Sequence, residues 1–213
     1  MIGREVVTRV GGSVLLMLVL SCIFVVPLFP LPWHGLLYRA LYTAIFVAAA
    51  LTLEKSGRSI LGIAIVVAVV EWIAYSLQLS TLNSVARLLN VGFFMFMVFA
   101  MIVQIIRVTD VDARVILAAV NGFLLLGLAA SMAVAAISAV APEAFGFSGG
   151  GSLTEFSEII YYGFVTLTTV GYGDIVPREP YARSLATFIG VLGQMYVAII
   201  IAMLVGKYAS TRR

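Results

Sequence analysis

The chain has 213 residues, of which 62% are hydrophobic and 11% charged, with a formal net charge of +3. A soluble fold of this size has no interior large enough to hide so much apolar surface, so the composition excludes an ordinary water-soluble domain and points to a bilayer. The 13 Lys and Arg are scattered near the ends of apolar runs with no basic stripe, which argues against a nucleic-acid partner, and a single cysteine (Cys22) with a single histidine (His34) leaves no disulfide framework and no His/Cys metal site.

In chain order, six apolar runs reach the ~20 residues that a membrane-spanning helix needs. The first covers about 10–31, after Arg4 and Arg9. Its basic start resembles a secretory leader, but the run is too long for a cleaved apolar region and has no small-residue cleavage site, which predicts a retained helix. His34 follows Pro32 and Trp33 in the next loop and reads as an interfacial residue rather than a pH sensor. The second, third and fourth runs are 35–53, 59–79 and 84–106. Glu71 is the only acidic residue set well inside a run, with Arg39 and Arg87 at similar depth. An unpaired charge in hydrocarbon is expensive, so a structural cluster Arg39–Glu71–Arg87 is predicted to hold these helices together.

The fifth run is 113–141 and the sixth 181–206. Between them lies a shorter helical segment, about 153–168, which cannot cross a bilayer and reads as re-entrant. Ser152-Leu153-Thr154-Glu155 fits the S-x-x-E capping box at its start, and Gly149-Gly150-Gly151 makes the turn before it. Glu155 and Glu158 then sit at the positive end of the helix, where negative charge is favourable. A Gly-rich stretch, 169–174, follows.

Basic residues fix the orientation. With the N-terminus cytoplasmic and six crossings, nine of them (Arg4, Arg9, Lys55, Arg58, Arg107, Arg114, Lys207, Arg212, Arg213) lie inside and four (Arg39, Arg87, Arg178, Arg183) lie toward the outside. This places both termini in the cytoplasm, 169–174 on the outer side of the cell membrane, and Lys207 with Arg212 and Arg213 as a cytoplasmic anchor. The re-entrant motif occurs once, and no internal repeat accompanies it.

The run Tyr161-Tyr162-Gly163-Phe164-Val165-Thr166-Leu167-Thr168-Thr169-Val170-Gly171-Tyr172-Gly173-Asp174-Ile175-Val176-Pro177 resembles the pore helix, filter and exit loop of potassium channels. In that family four TVGYG loops replace the hydration shell of the ion with carbonyl oxygens. The resemblance is close over about 153–207 and looser over the fifth run. It implies an all-α membrane protein of six helices plus a pore helix, assembled as a homotetramer in lipid. It implies a peripheral voltage-sensor-like domain over 1–107 and a pore domain over 108–213. The function implied is passive K+ conduction without catalysis or organic cofactor; the alternative is a regulatory or transporter-type potassium uptake subunit.

Residue by residue, the resemblance implies K+ bound at Thr169, Val170, Gly171 and Tyr172, with Gly173 completing the filter and Thr168 supporting it. Gly171 and Gly173 permit the backbone angles that let carbonyls face one axis, while Val170 and Tyr172 pack against the pore helix. Asp174 forms an acidic ring at the outer mouth. Tyr161 and Tyr162 brace the filter from behind. Gly193 falls at the family's hinge glycine, although glycines in membrane helices also serve close packing. Val165 stands where some bacterial relatives carry a glutamate, so Asp174 is expected to bond to Tyr162 or to stay hydrated. In the voltage-gated branch the fourth helix carries arginine at every third position. Here that series reads Arg87, Asn90, Phe93, Phe96, Phe99, Ile102. One charge crossing the field is worth about 2.3 kcal/mol per 100 mV, so weak or no voltage dependence is expected.

Overall fold

The computed structural model describes residues 2–29, 34–52, 57–77, 80–108, 112–153 and 155–211, with side chains for all of these but 2–10, 34, 57–58, 80–81, 84 and 208–211. Expectations resting on the side chains of Arg4, Arg9, His34, Lys55, Arg58, Arg212 and Arg213 fall outside that set. Inside hydrocarbon a backbone N–H has no water to bond, so a crossing segment must close its hydrogen bonds within itself. The long apolar runs accordingly fold as helices: α1 (Ile2–Leu20), α2 (His34–Leu51), α3 (Gly57–Leu77), α4 (Ser80–Arg107), α5 (Ala113–Val140) and α7 (Pro180–Thr211), with the shorter α6 (Phe156–Leu167) before the Gly-rich loop.

Two departures from the expected spans have local causes. The first run is not one continuous α-helix: after Leu20 it widens into a π turn over Ser21–Val25 and tightens into a 3-10 turn over Val26–Leu28. Pro27 lacks the N–H that would bond four residues back, and its ring crowds that carbonyl, so the ladder changes pitch there. The second departure is α2. Five helices among the described residues are long and apolar enough to cross a membrane, but the apolar part of α2, Gly35–Leu51, is shorter. Its 18 residues rise about 27 Å, just under the ~30 Å of hydrocarbon.

The helices pack in sequence. α1 lies on α2, α2 on α3, α3 on α4 and α4 on α5, and α5 closes the round by packing on α1. Asn121 of α5 seals that last contact by donating from Nδ2 to the Gly12 carbonyl at 2.9 Å. Lipid tails are as apolar as leucine, so burial alone does not drive these contacts; close packing and polar bonds between helices do. Aromatic edges supply much of the packing. Phe46 meets Phe93 and Phe94 at centroid distances of 4.7 and 5.2 Å, and such pairs contribute about 0.5–1.5 kcal/mol each. Tyr38 and Tyr42 of α2 close on Phe156, the first residue of α6, at 5.0 and 5.8 Å. The start of α6 is thereby docked on the peripheral helices. At the other end of the molecule, Lys207 Nζ of α7 donates to the carbonyls of Ile105, Ile106 and Val108. It caps the last turn of α4, where a cation offsets the negative end of the helix dipole. Lys207, read from the sequence as part of an anchor, also clamps two helices together.

Candidate functional site

The site is built around α6. Its 12 residues rise about 18 Å, well short of the ~30 Å that a crossing needs. The N-cap is Glu155, not the expected Ser152: Glu155 and Glu158 bond each other's backbone N–H in a capping box, with Glu155 N donating to Glu158 Oε2 at 3.1 Å. Ser152 is drawn away. It bridges Gly146 and donates from Oγ to Glu143 Oε1 at 3.1 Å. At the far end, the chain reverses on the carbonyls of the last helical turn. Thr168 N and Oγ1 bond Phe164 O at 2.9 and 2.7 Å, Thr169 N bonds Thr166 O at 3.0 Å, and Val170 N bonds Val165 O at 3.0 Å.

Beyond this reversal the loop 169–174 is exposed. Thr169, Gly171 and Gly173 have positive φ values of 60, 55 and 77°, and Val170 and Tyr172 between them do not. Left-handed residues alternating with ordinary ones are what allow successive carbonyls to share a side. For the two glycines this is free of a Cβ clash. Thr169 is the only described non-glycine with positive φ, and a β-branched residue there costs on the order of 1–3 kcal/mol. Among the described residues, no hydrogen bond ends on the carbonyls of Thr169, Val170, Gly171, Tyr172 or Gly173. Val170 and Tyr172 are 53% and 71% exposed. Neither is buried against α6 of its own chain as expected, although Tyr172 stacks parallel to Tyr161 with centroids 6.5 Å apart.

The partner of Asp174 is Tyr161. Its Oη donates to Asp174 Oδ2 at 2.8 Å, and this bond holds the fully exposed carboxyl below its ordinary value of 3.8. Tyr162, named as a partner from the sequence, turns the other way and packs on Phe145 at 5.3 Å. A short clasp then fixes the loop's exit. β1 (Phe145–Phe147) and β2 (Ile175–Pro177) pair antiparallel, and Ser148 N donates to Asp174 O at 2.8 Å. Arg178 locks the clasp by donating from Nη2 to Phe147 O at 2.8 Å and to Gly151 O at 3.1 Å, with Nη1 3.4 Å from Glu143. Sequence reasoning counted Arg178 only as an outward charge.

α7 backs the loop from below. Gly193 is in close contact there: a Cβ built on it would lie 2.0 Å from the Leu167 carbonyl. The contact is one of close helix approach, the packing role read from the sequence beside the hinge role. Arg183 remains near the loop exit, its Nε 3.4 Å from Pro177 O.

The charged residues of the peripheral helices are only partly brought together. Arg39 Nη1 donates to Glu71 Oε1 at 2.6 Å, and the second carboxylate oxygen accepts from Asn90 Nδ2 at 2.8 Å. Arg39 also lies 4.4 Å over the Tyr75 ring. Arg87 does not join the pair; its Nη1 donates to the Ala135 carbonyl of α5 at 3.3 Å. All four polar residues line one cavity of about 360 Å³ between α2, α3, α4, α5 and the start of α6.

Residues 122–209 match the family model described as "Ion channel". A 63-residue stretch is 36% identical to the small conductance calcium-activated potassium channel-like protein 3 of Caenorhabditis elegans, covering 29% of this chain and 9% of that protein. No solved structure matches.

Proposed function

We propose, from the match of residues 122–209 to an ion-channel family model and the likeness of a shorter stretch to a potassium channel-like protein, that four copies of this chain enclose a K+-selective pore. The observation that carries this reading is the TVGYG loop Thr169–Gly173, exposed at every residue and with positive φ at Thr169, Gly171 and Gly173. An exposed backbone carbonyl is ordinarily satisfied by water, and a ligand that displaces the water must take its place as partner. A dehydrated monovalent cation is such a partner, and the TVGYG sequence is that of the potassium filter. Potassium exchanges its water for the oxygens of Thr169, Val170, Gly171 and Tyr172, and a ring of Asp174 carboxylates gathers cations at the outer mouth. The C-terminal ends of four α6 helices favour the cation on the inner side.

Each chain supplies a single loop, so closing the ring takes several chains. α7 has the surface for it: its span is 22% buried within the chain, against 61% for α5. In this reading 1–107 form a peripheral domain and 108–213 the pore domain, with six crossings, the short α2 included. Both termini lie in the cytoplasm of a cell expressing the protein in its surface membrane. Potassium against sodium flux through purified protein in liposomes tests the proposal. Wild type is expected to pass K+ and reject Na+, and Gly171→Ala, which forces a Cβ into a positive-φ position, is expected to lose that preference. Equal passage of both ions by wild type would reject it. Discrete single-channel steps separate this reading from a slow potassium carrier or a regulatory subunit.

A further inference from the structure

The inner end of the loop makes a contact that the filter reading does not use. Gln194 Nε2 of α7 donates to the Thr169 hydroxyl oxygen at 3.3 Å. The contact sits on a seam where α7 touches the end of α6. Gly193, the residue before, faces the Leu167 carbonyl, and a Cβ at Gly190 would lie 3.7 Å from the Thr166 carbonyl. On its other side α7 is held to α5 by Tyr196, whose Oη donates to the Ala119 carbonyl at 2.8 Å. Gln194 is thus presented to Thr169 by a helix fixed from both sides.

We propose that Gln194 is a positioning residue for the inner cation site, acting through the Thr169 hydroxyl. The inference rests on the reading of 169–173 as a filter. A threonine hydroxyl has one proton and two acceptor lone pairs, and it rotates to suit its neighbours. An amide N–H placed on one lone pair stops that rotation. The other lone pair is then held toward the axis, where a partly dehydrated monovalent cation takes it as a ligand. Thr169 already holds a left-handed backbone angle, so its side chain has few routes to the same position without this tether. The bond also joins the inner helix to the filter.

The test is Gln194→Met, which keeps length and volume and removes the donor. It is combined with Thr169→Ser, which keeps a hydroxyl, and Thr169→Ala, which does not. The readout is the K+ to Na+ permeability ratio in liposomes, with tetramer melting as a control for structure. Gln194→Met is expected to lower the ratio about two- to tenfold, the range for losing one neutral hydrogen bond, while melting stays at the wild-type value. The same drop is expected on Thr169→Ser and no further drop on Thr169→Ala. If Thr169→Ala passes no ions, the K+ concentration that half-stabilises each variant against melting supplies the same cycle. An unchanged ratio in Gln194→Met, or an equal drop on Thr169→Ala, overturns the role of Gln194 and leaves the filter reading standing. A wild type that does not select K+ overturns both.

Discussion

Tyr161 and Tyr162 are neighbours in the chain, but a helix turns about 100° between them, and their surroundings divide accordingly. Tyr161 reaches Asp174 and stacks on Tyr172, while Tyr162 is buried against Phe145. The hydroxyl of Tyr161 stabilises the ionised form of Asp174, so the carboxylate keeps its charge as pH falls until a value below 3.8 is passed. Removing the hydroxyl lets protonation begin at a higher pH. Tyr161→Phe is therefore expected to shift the acid-induced loss of cation current upward in pH, and an unchanged midpoint would contradict the assignment. Gly193→Ala offers a second check. Its Cβ would press on the Leu167 carbonyl, a backbone atom that cannot swing aside. Overpacking of this kind costs typically about 1–3 kcal/mol, and the expected result is a lowered thermal midpoint together with lower flux. The TVGYG letters of 169–173 stand plainly in the sequence. Which tyrosine faces Asp174 was not legible there, because the rotation of α6 about its axis is set by Phe156 seating on Tyr38 and Tyr42.

At the scale of elements, hydropathy marked the helices because a span must be apolar along its whole length. It could not mark the clasp. β1 and β2 have three residues each, too few for an alternating pattern to register. Their pairing depends on Arg178, which binds two carbonyls contributed by distant residues. Arg178→Ala is expected to open the clasp and speed hydrogen exchange at the Ser148 amide, which bonds Asp174 O. The capping box was legible in kind and misplaced in register, because Ser152 is engaged by Glu143 and Gly146. The charge cluster was half legible: the cost of burying Glu71 demanded a partner, but Asn90 filled the place given to Arg87. Glu71→Gln leaves Arg39 without its anion and is expected to cost about 1–3 kcal/mol, read as a lower melting temperature. A variant as stable as wild type would remove the pair from the account of how α2, α3 and α4 hold together.

For the whole molecule, the series along α4 argues against a strong electrical response. Asn90 is bonded to Glu71, Phe93 is buried, and Phe96 and Phe99 are exposed. Of the six positions, Arg87 alone carries charge. With one such charge in each chain, a shallow conductance–voltage curve is expected. A steep curve in reconstituted protein would point to charge carried elsewhere. The clamp at Lys207 bears on what does the switching. By gripping the final carbonyls of α4, this lysine ties the foot of α7 to the foot of its neighbour. A load applied to either foot is shared by both, like two legs hobbled together. In the channel proposed above, a pull on the end of α4 would therefore be felt directly at the end of α7.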